Sequence, residues 1–384
     1  MKKRVAVLGA TGSIGQNTLD ILRGERDRFE PVLFSAHRNS NSLLAIKKEF
    51  PHALIALADE TTEGALPGEI DFQGKYGLLK AIETVKADIT VNGITGAAGL
   101  EPSAVVLNSG SDLALANKET VVMAGELVFN LARENKVHII PVDSEHSAIF
   151  KLIEAHGRDN VSEIILTASG GPFRNYSAEE LTHVKPEEAL AHPTWNMGKK
   201  ITIDSATLAN KGLEVIEASL LFGFPPEKIK VVVHPQSIVH SMVRLKSGAV
   251  YAQMSKPDMR LPIHEALFWP AEEFSPYGVL DFDSLNLSFE KPDFARFPML
   301  ALAYEALKDT PLLPIAYNAA NEEAVRSYLA GDIGFLEIPR IVRYVLGKSS
   351  ESRKEIGTIE AVLDEDRKAR KLAAHFIKIN SGSA

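Results

Sequence analysis

The sequence contains no cysteine. That single absence excludes disulfides, thiolate metal sites and a thiol nucleophile. No stretch reaches the roughly 18 consecutive apolar residues of a membrane span. No early apolar segment carries the charged front and small-residue cleavage site of a secretory leader. Positive charge is also in deficit: 42 lysines and arginines face 50 acids, a net charge of -8. A general nucleic-acid binder needs a basic field against phosphate, so that class is disfavoured. A local basic pocket for a small phosphorylated ligand remains open. Internal repeats and low-complexity tracts are missing too. The expectation is a soluble cytoplasmic protein with no membrane or nucleic-acid partner.

What is present is ordinary globular composition, 45% hydrophobic and 24% charged, in a length sufficient for two or three domains. Up to about residue 145, short apolar runs alternate with helical patterns. Arg4 to Leu8, Pro31 to Ser35, Ala53 to Leu57, Asp88 to Val91, Leu113 to Ala116 and Val137 to Ile140 read as strands. Ile14 to Leu22 and Glu119 to Glu134 have helical periodicity. This is the rhythm of an α/β fold with a doubly wound, Rossmann-like parallel sheet. After residue 150 the pattern changes. Glu163 to Thr167 and Val231 to Val233 read as strands, and Ile238 to Leu245 with Ala249 to Met254 as a hairpin around Lys246-Ser247-Gly248. Ser177-Ala178-Glu179-Glu180 has the form of a capping box that starts a helix. From Phe297 onward four helical stretches suggest a bundle: Met299 to Lys308, Asn318 to Leu329, Ile338 to Leu346 and Ile356 to Phe376. The expected division is a cofactor-binding domain over 1–149, a central α+β catalytic domain over 150–275, a linker over 276–297, a helical bundle over 298–378 and a tail over 379–384.

The first strand runs into Gly9-Ala10-Thr11-Gly12-Ser13-Ile14-Gly15 and then a helix. Glycines here allow a tight turn and a close approach of pyrophosphate to a helix N-terminus. The second strand ends in Ala36-His37-Arg38-Asn39. An NAD site carries an acid there for the ribose hydroxyl. Arg38 suits the 2′-phosphate of NADP instead; the plain alternative is a surface arginine. Ala116-Asn117-Lys118-Glu119 follows the fifth strand on the same edge, which offers Lys118 to substrate and Asn117 and Glu119 to the nicotinamide side. Glu119 also fits as an acid that complements a helix dipole.

Pro141-Val142-Asp143-Ser144-Glu145-His146 follows the last strand of the first half. Read as extended chain, it points Asp143 and Glu145 the same way. Two convergent carboxylates need a cation or a proton, and a hard ion such as Mg²⁺ or Mn²⁺ matches all-oxygen ligands. Further on, Ile203-Asp204-Ser205-Ala206-Thr207 precedes Asn210-Lys211-Gly212-Leu213-Glu214. With Asp204 or Ser205 as N-cap, Asn210, Lys211 and Glu214 share one helix face. Glu214 then supplies a third carboxylate, although Lys211 with Glu214 also reads as a surface ion pair. Ser169, Ser205, Asn210 and Lys211 are donor types that hold phosphate. His192 through Gly198 reads as a lid in which Trp195 and Met197 close over a site and His192 bonds substrate or moves a proton. The alternative for Trp195 is core. His234 and His240 are supporting candidates beside the hairpin.

These segments resemble, in order, those of the 1-deoxy-D-xylulose 5-phosphate reductoisomerase family, over nearly the whole chain. The resemblance implies NADPH, a divalent metal and a V-shaped homodimer built largely through the central domain. It also implies that Thr11, Gly12, Ser13, Ile14, Arg38, Asn39, Asn117, Glu119 and Gly198 contact NADPH, and that Asp143, Glu145 and Glu214 bind metal. Lys118, Ser144, Glu145, Ser169, His192, Ser205, Asn210, Lys211 and Glu214 contact substrate, and Lys118, Asp143, Glu145, His192 and Glu214 form the catalytic set. His37 stands where the family often has glycine. The implied reaction is rearrangement and reduction of 1-deoxy-D-xylulose 5-phosphate to 2-C-methyl-D-erythritol 4-phosphate, in non-mevalonate isoprenoid precursor synthesis.

Two other readings compete. One is a plain NADP-dependent dehydrogenase of another small phosphorylated substrate. The other is a redox-sensing regulator that binds NADPH and reports through its C-terminal helices. Semialdehyde dehydrogenases share the glycine spacing but need a cysteine nucleophile, which this chain lacks.

Overall fold

Val5, Ala6, Val7 and Leu8 are fully buried, as a parallel strand covered by helices on both faces requires. They form the core of β1 (Lys3–Leu8). There follow α1 (Ser13–Gly24), β2 (Phe29–Ala36), α2 (Ser40–Glu49), β3 (Leu54–Leu57), β4 (Phe72–Gln73), α3 (Gly74–Val85) and β5 (Ile89–Asn92). Next come α4 (Leu100–Asn108), β6 (Asp112–Leu115), α5 (Lys118–Asn135), β7 (Ile139–Pro141) and α6 (Ser144–His156). The rest of the chain holds β8 (Val161–Ala168), α7 (Pro186–Ala189), α8 (Lys199–Ala206), α9 (Ala209–Phe222), β9 (Ile229–Val233), β10 (Val239–Leu245) and β11 (Val250–Met254). It ends in α10 (Arg260–Phe268), α11 (Pro298–Ala306), α12 (Leu312–Ala330), α13 (Glu337–Ser349) and α14 (Ile359–Ser381). The computed structural model describes residues 1–60, 68–191, 194–195, 197–308, 310–351 and 356–381. Among these no helix is long and apolar enough to cross a membrane.

The first seven strands make one sheet in the order β4-β3-β2-β1-β5-β6-β7, and every neighbouring pair is parallel. The doubly wound sheet is therefore present, with the two-residue β4 added at its edge. Strand order reverses between β1 and β5, so a crevice opens at their carboxyl ends, the usual ligand position in such sheets.

The chain divides into two units. The first comprises Met1–Thr120, Glu126–Ser147 and Asp258–Gly278; the second comprises Val121–Gly125, Ala148–Pro257 and Val279–Ala384. This differs from the division expected from sequence, because 258–278 joins the first unit. The return is specific. Lys3 Nζ donates to the carbonyls of Leu267 and Trp269, at 2.9 and 3.1 Å, where α10 ends. A cation there complements the helix dipole. Phe268 meets Phe29 edge-on at 4.9 Å, and Ser147 Oγ donates to Glu265 at 3.2 Å.

In the second unit the sheet order is β11-β10-β8-β9. The expected hairpin is β10 with β11, antiparallel, and β8 pairs in parallel with β9. Side chains from β8, α9 and α11 through α14 form one buried cluster. The C-terminal helices pack on one another as the expected bundle and share their core with the central sheet. The capping box at Ser177 and Glu180 makes both reciprocal bonds, 2.7 and 3.2 Å, yet only a single 3-10 turn, Glu180–Thr182, follows.

A fragment ending at residue 150 lacks the α10 segment. Losing the Phe29–Phe268 contact costs about 3 kcal/mol, so its thermal unfolding by circular dichroism is expected about 5–10 °C below that of a version carrying 258–278 on a flexible linker. Equal midpoints would mean that the returning segment contributes nothing.

Candidate active site

At the end of β1 the Gly12 N–H donates to Gly9 O at 3.0 Å and closes the turn. Helix α1 then begins with no side-chain cap and no acid in its first turn. Its first N–H groups and the positive dipole end are suited to an anion. Gly15 sets the fit: a Cβ there would lie 2.4 Å from Ala10 Cα, so only glycine lets α1 pack this close to the turn. The cradle fits a pyrophosphate. Gly12 and Ser13 are exposed, and Thr11 and Ile14 are half-buried. Arg38 is exposed and its Nε donates to Asp59. Asn39 caps α2, accepting from Ser42 N at 3.0 Å.

Asn117 is nearly buried and serves as a clamp. Its amide donates to Ile94 O at 2.7 Å, Gly96 O at 2.9 Å and Glu119 at 2.9 Å. Its oxygen caps α5 by accepting from Thr120 N at 3.1 Å. These bonds tie the loop after β5 to the start of α5, and they fix Lys118 next door. Lys118 Nζ lies 2.7 Å from Asp143 Oδ2.

Asp143 and Glu145 do not converge by strand alternation. Ser144 already opens α6. Asp143 is placed as its cap, with Oδ1 3.3 Å from Glu145 N, and its carbonyl accepts from Ser147 N at 2.8 Å. The N-cap preference of aspartate outweighs the extended reading. Ser144 Oγ donates to Glu145 at 2.6 Å. His146, fully buried, sits 3.3 Å from Asp143 Oδ1; its place about one helical turn after the cap is the sequence signal for this contact. Burial pushes the Asp143 carboxyl up, but Lys118 and His146 together hold it well below the usual carboxylate range.

In the second unit Asp204 and Ser205 lie inside α8, not at the cap of the next helix. Leu208, at φ +60°, makes the break, and α9 starts at Ala209. Asp204 is buried; it accepts from Asn321 Nδ2 at 2.7 Å and pairs with Lys200 at 2.9 Å. On α9 the shared face is as expected. Asn210 and Lys211 donate to the two oxygens of Glu214. Lys211 and Glu214 are buried, so the pair is not a surface bridge. Ser169 lies in the turn after β8, with Oγ 3.3 Å from Gly171 N. Gly171, at φ +69°, packs so closely that a Cβ would be 2.6 Å from Ser205 O. That contact brings the Ser169 and Ser205 segments together. Trp195 is half-buried, 6.5 Å from the His240 ring, so it is not core. Met197 is half-buried and Gly198 caps α8. His192 lies outside the described residues. His240 Nε2 is bonded to Ser255 Oγ at 2.8 Å, and His234 Nδ1 to Ser288 O at 2.8 Å.

The family model for 1-deoxy-D-xylulose 5-phosphate reductoisomerase matches residues 5–125, and two models of its C-terminal domains match 139–222 and 254–372. A reductoisomerase of this name from Treponema denticola is 51% identical over 97% of this chain and 96% of that protein. One from Prosthecochloris aestuarii is 48% identical over 97% and 99%. The chain belongs to the 1-deoxy-D-xylulose 5-phosphate reductoisomerase family. Among solved structures, the Zymomonas mobilis reductoisomerase in complex with NADPH superimposes with a TM-score of 0.89 at 42% identity, over 98% of this chain and 99% of that one. A family structure with NADPH, fosmidomycin and magnesium gives 0.90 at 35% identity, over 98% of each chain.

Two tests of this reductoisomerase site follow from its packing. Gly171→Ala meets both a left-handed backbone and the Ser205 carbonyl, a strain of about 1–3 kcal/mol. The expected result is a KM for the phosphorylated substrate raised about tenfold, with the NADPH KM little changed; equal rises would count against a local role. For Lys118, the folded Asp143 carboxyl titrates below its unfolded value of about 3.9. The pair's stabilisation is complete above that value and is lost as pH falls through the folded one. Lys118→Met removes the chief countercharge, so acid unfolding followed by circular dichroism should begin at higher pH than in the wild type. An unmoved acid limb would mean that Lys118 does not hold Asp143 ionised.

Proposed function

We propose that this chain is an oxidoreductase that rearranges and reduces 1-deoxy-D-xylulose 5-phosphate to 2-C-methyl-D-erythritol 4-phosphate, using NADPH and Mg²⁺ or Mn²⁺, in non-mevalonate isoprenoid precursor biosynthesis. Family membership along the whole chain carries this reading. It leaves little room for a plain dehydrogenase of another phosphorylated substrate or for a redox sensor.

The donor chemistry agrees. Asp143, Glu145 and Glu214 are hard oxygen ligands, and we assign the divalent ion to them. When bound, that ion supplies Lewis acidity to substrate oxygens, and NADPH supplies the hydride. The side chains do the rest. Ser169, Ser205, Asn210 and Lys211 hold the phosphate through N–H and O–H donors. Binding energy from the phosphate, remote from the reacting carbons, orients the sugar. Lys118 stabilises negative charge that develops on substrate oxygen, and Ser144 contacts the substrate beside Glu145. Trp195 and Met197 exclude water, and His192 bonds the substrate. Thr11 through Ile14 receive the pyrophosphate on α1, while Arg38 and Asn39 receive the adenosine end. Asn117, Glu119 and Gly198 frame the nicotinamide side.

We further propose a homodimer. Its support is the edge strand β11, where Val250 and Tyr251 are each 43% exposed, since an unpaired apolar edge is a template for a second strand. The assignment to the cytoplasm rests on the substrates, because a charged sugar phosphate and NADPH are retained inside the cell.

The direct test follows NADPH oxidation with 1-deoxy-D-xylulose 5-phosphate and Mn²⁺, against simple aldehydes as controls. Glu214→Gln is expected to lower kcat by about 10³-fold or more and to leave NADPH affinity nearly intact. Full wild-type activity in thoroughly metal-stripped buffer would remove the metal from the account.

A further inference from the structure

The ends of β2 and β3 are joined beyond the sheet. Ala58 N donates to Ala36 O at 2.9 Å and Asp59 N to His37 O at 3.0 Å. This fixes the Asp59 backbone beside Arg38. The two side chains differ sharply in exposure: 10% for Asp59 and 73% for Arg38. An exposed arginine samples many rotamers, and a ligand that needs one of them must order it. A nearly buried carboxylate on Nε does that ordering in advance. Because the bond is made through Nε, both terminal nitrogens lie without a protein hydrogen bond among the described residues. Two parallel N–H donors are what a phosphomonoester takes in a bidentate contact. The opposing effect is repulsion between carboxylate and phosphate. The guanidinium lies between the two anions, against Asp59 on its Nε side, and its positive charge offsets that repulsion. Ordering therefore outweighs repulsion.

We propose that Asp59 is a positioning residue that sets the Arg38 guanidinium for the 2′-phosphate of NADPH, and so governs the preference for NADPH over NADH. This rests on the assignment of Arg38 to that phosphate. The test uses fluorescence titration of the full-length protein with NADPH and with NADH, without substrate. Asp59→Ala is expected to raise the NADPH Kd about tenfold and to leave the NADH Kd within about twofold. Asp59→Asn keeps the shape and an acceptor oxygen, should lie between wild type and alanine, and serves if the alanine variant folds poorly. In an Arg38→Ala background the Asp59 substitution should have no further effect. The proposal fails if NADPH binding is unchanged or tighter in Asp59→Ala, if NADH weakens equally, or if the effect persists without Arg38. Should Arg38→Ala itself leave NADPH binding intact, the assignment of Arg38 falls and takes this inference with it. An Arg38 effect without an Asp59 effect overturns the inference alone.

Discussion

A buried carboxylate must be given a positive partner, and that constraint organises the starts of α5 and α6 and the helices α8 and α9. Taking an ion out of water costs several kcal/mol even after relaxation. Three acids in the site segments meet the cost in the same way. Asp143 has Lys118 at 2.7 Å, Asp204 has Lys200 at 2.9 Å, and Glu214 has Lys211. Each lysine is itself largely buried, so neither partner of any pair is well solvated. Remaining lone pairs are satisfied by neutral or aromatic donors: His146 on Asp143, Asn321 on Asp204 and Asn210 on Glu214. Lys118 and His146 hold the Asp143 carboxyl well below the usual carboxylate range, and the hydrogen bonds fix all three acids in direction.

The pairs arise from two geometries. On α8 and α9 the partners are i,i+4 and i,i+3 neighbours, so one helix supplies both charges. Lys118 and Asp143 lie 25 residues apart in sequence, and the sheet joins them. Strands β6 and β7 are parallel neighbours with Leu115 opposite Pro141. Lys118 is three residues past the first and Asp143 two past the second, so both emerge at the same edge. The carboxyl-end rule for parallel sheets is here a statement about adjacent strand ends that deliver opposite charges.

The same distinction explains what could be read from sequence. Helical spacing made the Asn210, Lys211 and Glu214 face visible, and strand periodicity gave the parallel sheet to within a residue or two at most ends. What escaped depended on partners far along the chain or on a local contest. Nothing around Leu267 announces that the end of α10 will lie on β1's Lys3, 264 residues earlier. Asp59 looks like loop until β2 and β3 are paired. A preceding strand predicts extended chain at Asp143, but the cap bond to α6 decides its conformation. The sequence offers Asp204 or Ser205 as a cap although the helix begins at Lys199, because no glycine or proline marks the break that Leu208 makes in an uncommon conformation.

Asp143 therefore carries several roles on one side chain. It caps α6, balances Lys118 and orients His146. A cap bond contributes about 1 kcal/mol, and removing one partner of a buried ion pair costs about 3–5 kcal/mol. Oδ1 faces the cap N–H and His146, while Oδ2 faces Lys118. The two oxygens are thus unequal. The first is held by contacts that preserve the helix start. The second is held by the buried Lys118 ammonium, a contact that takes no part in the helix cap. By these magnitudes the ion pair at Oδ2 outweighs the cap bond at Oδ1, so Asp143 is anchored more by its charge partner than by the helix it starts.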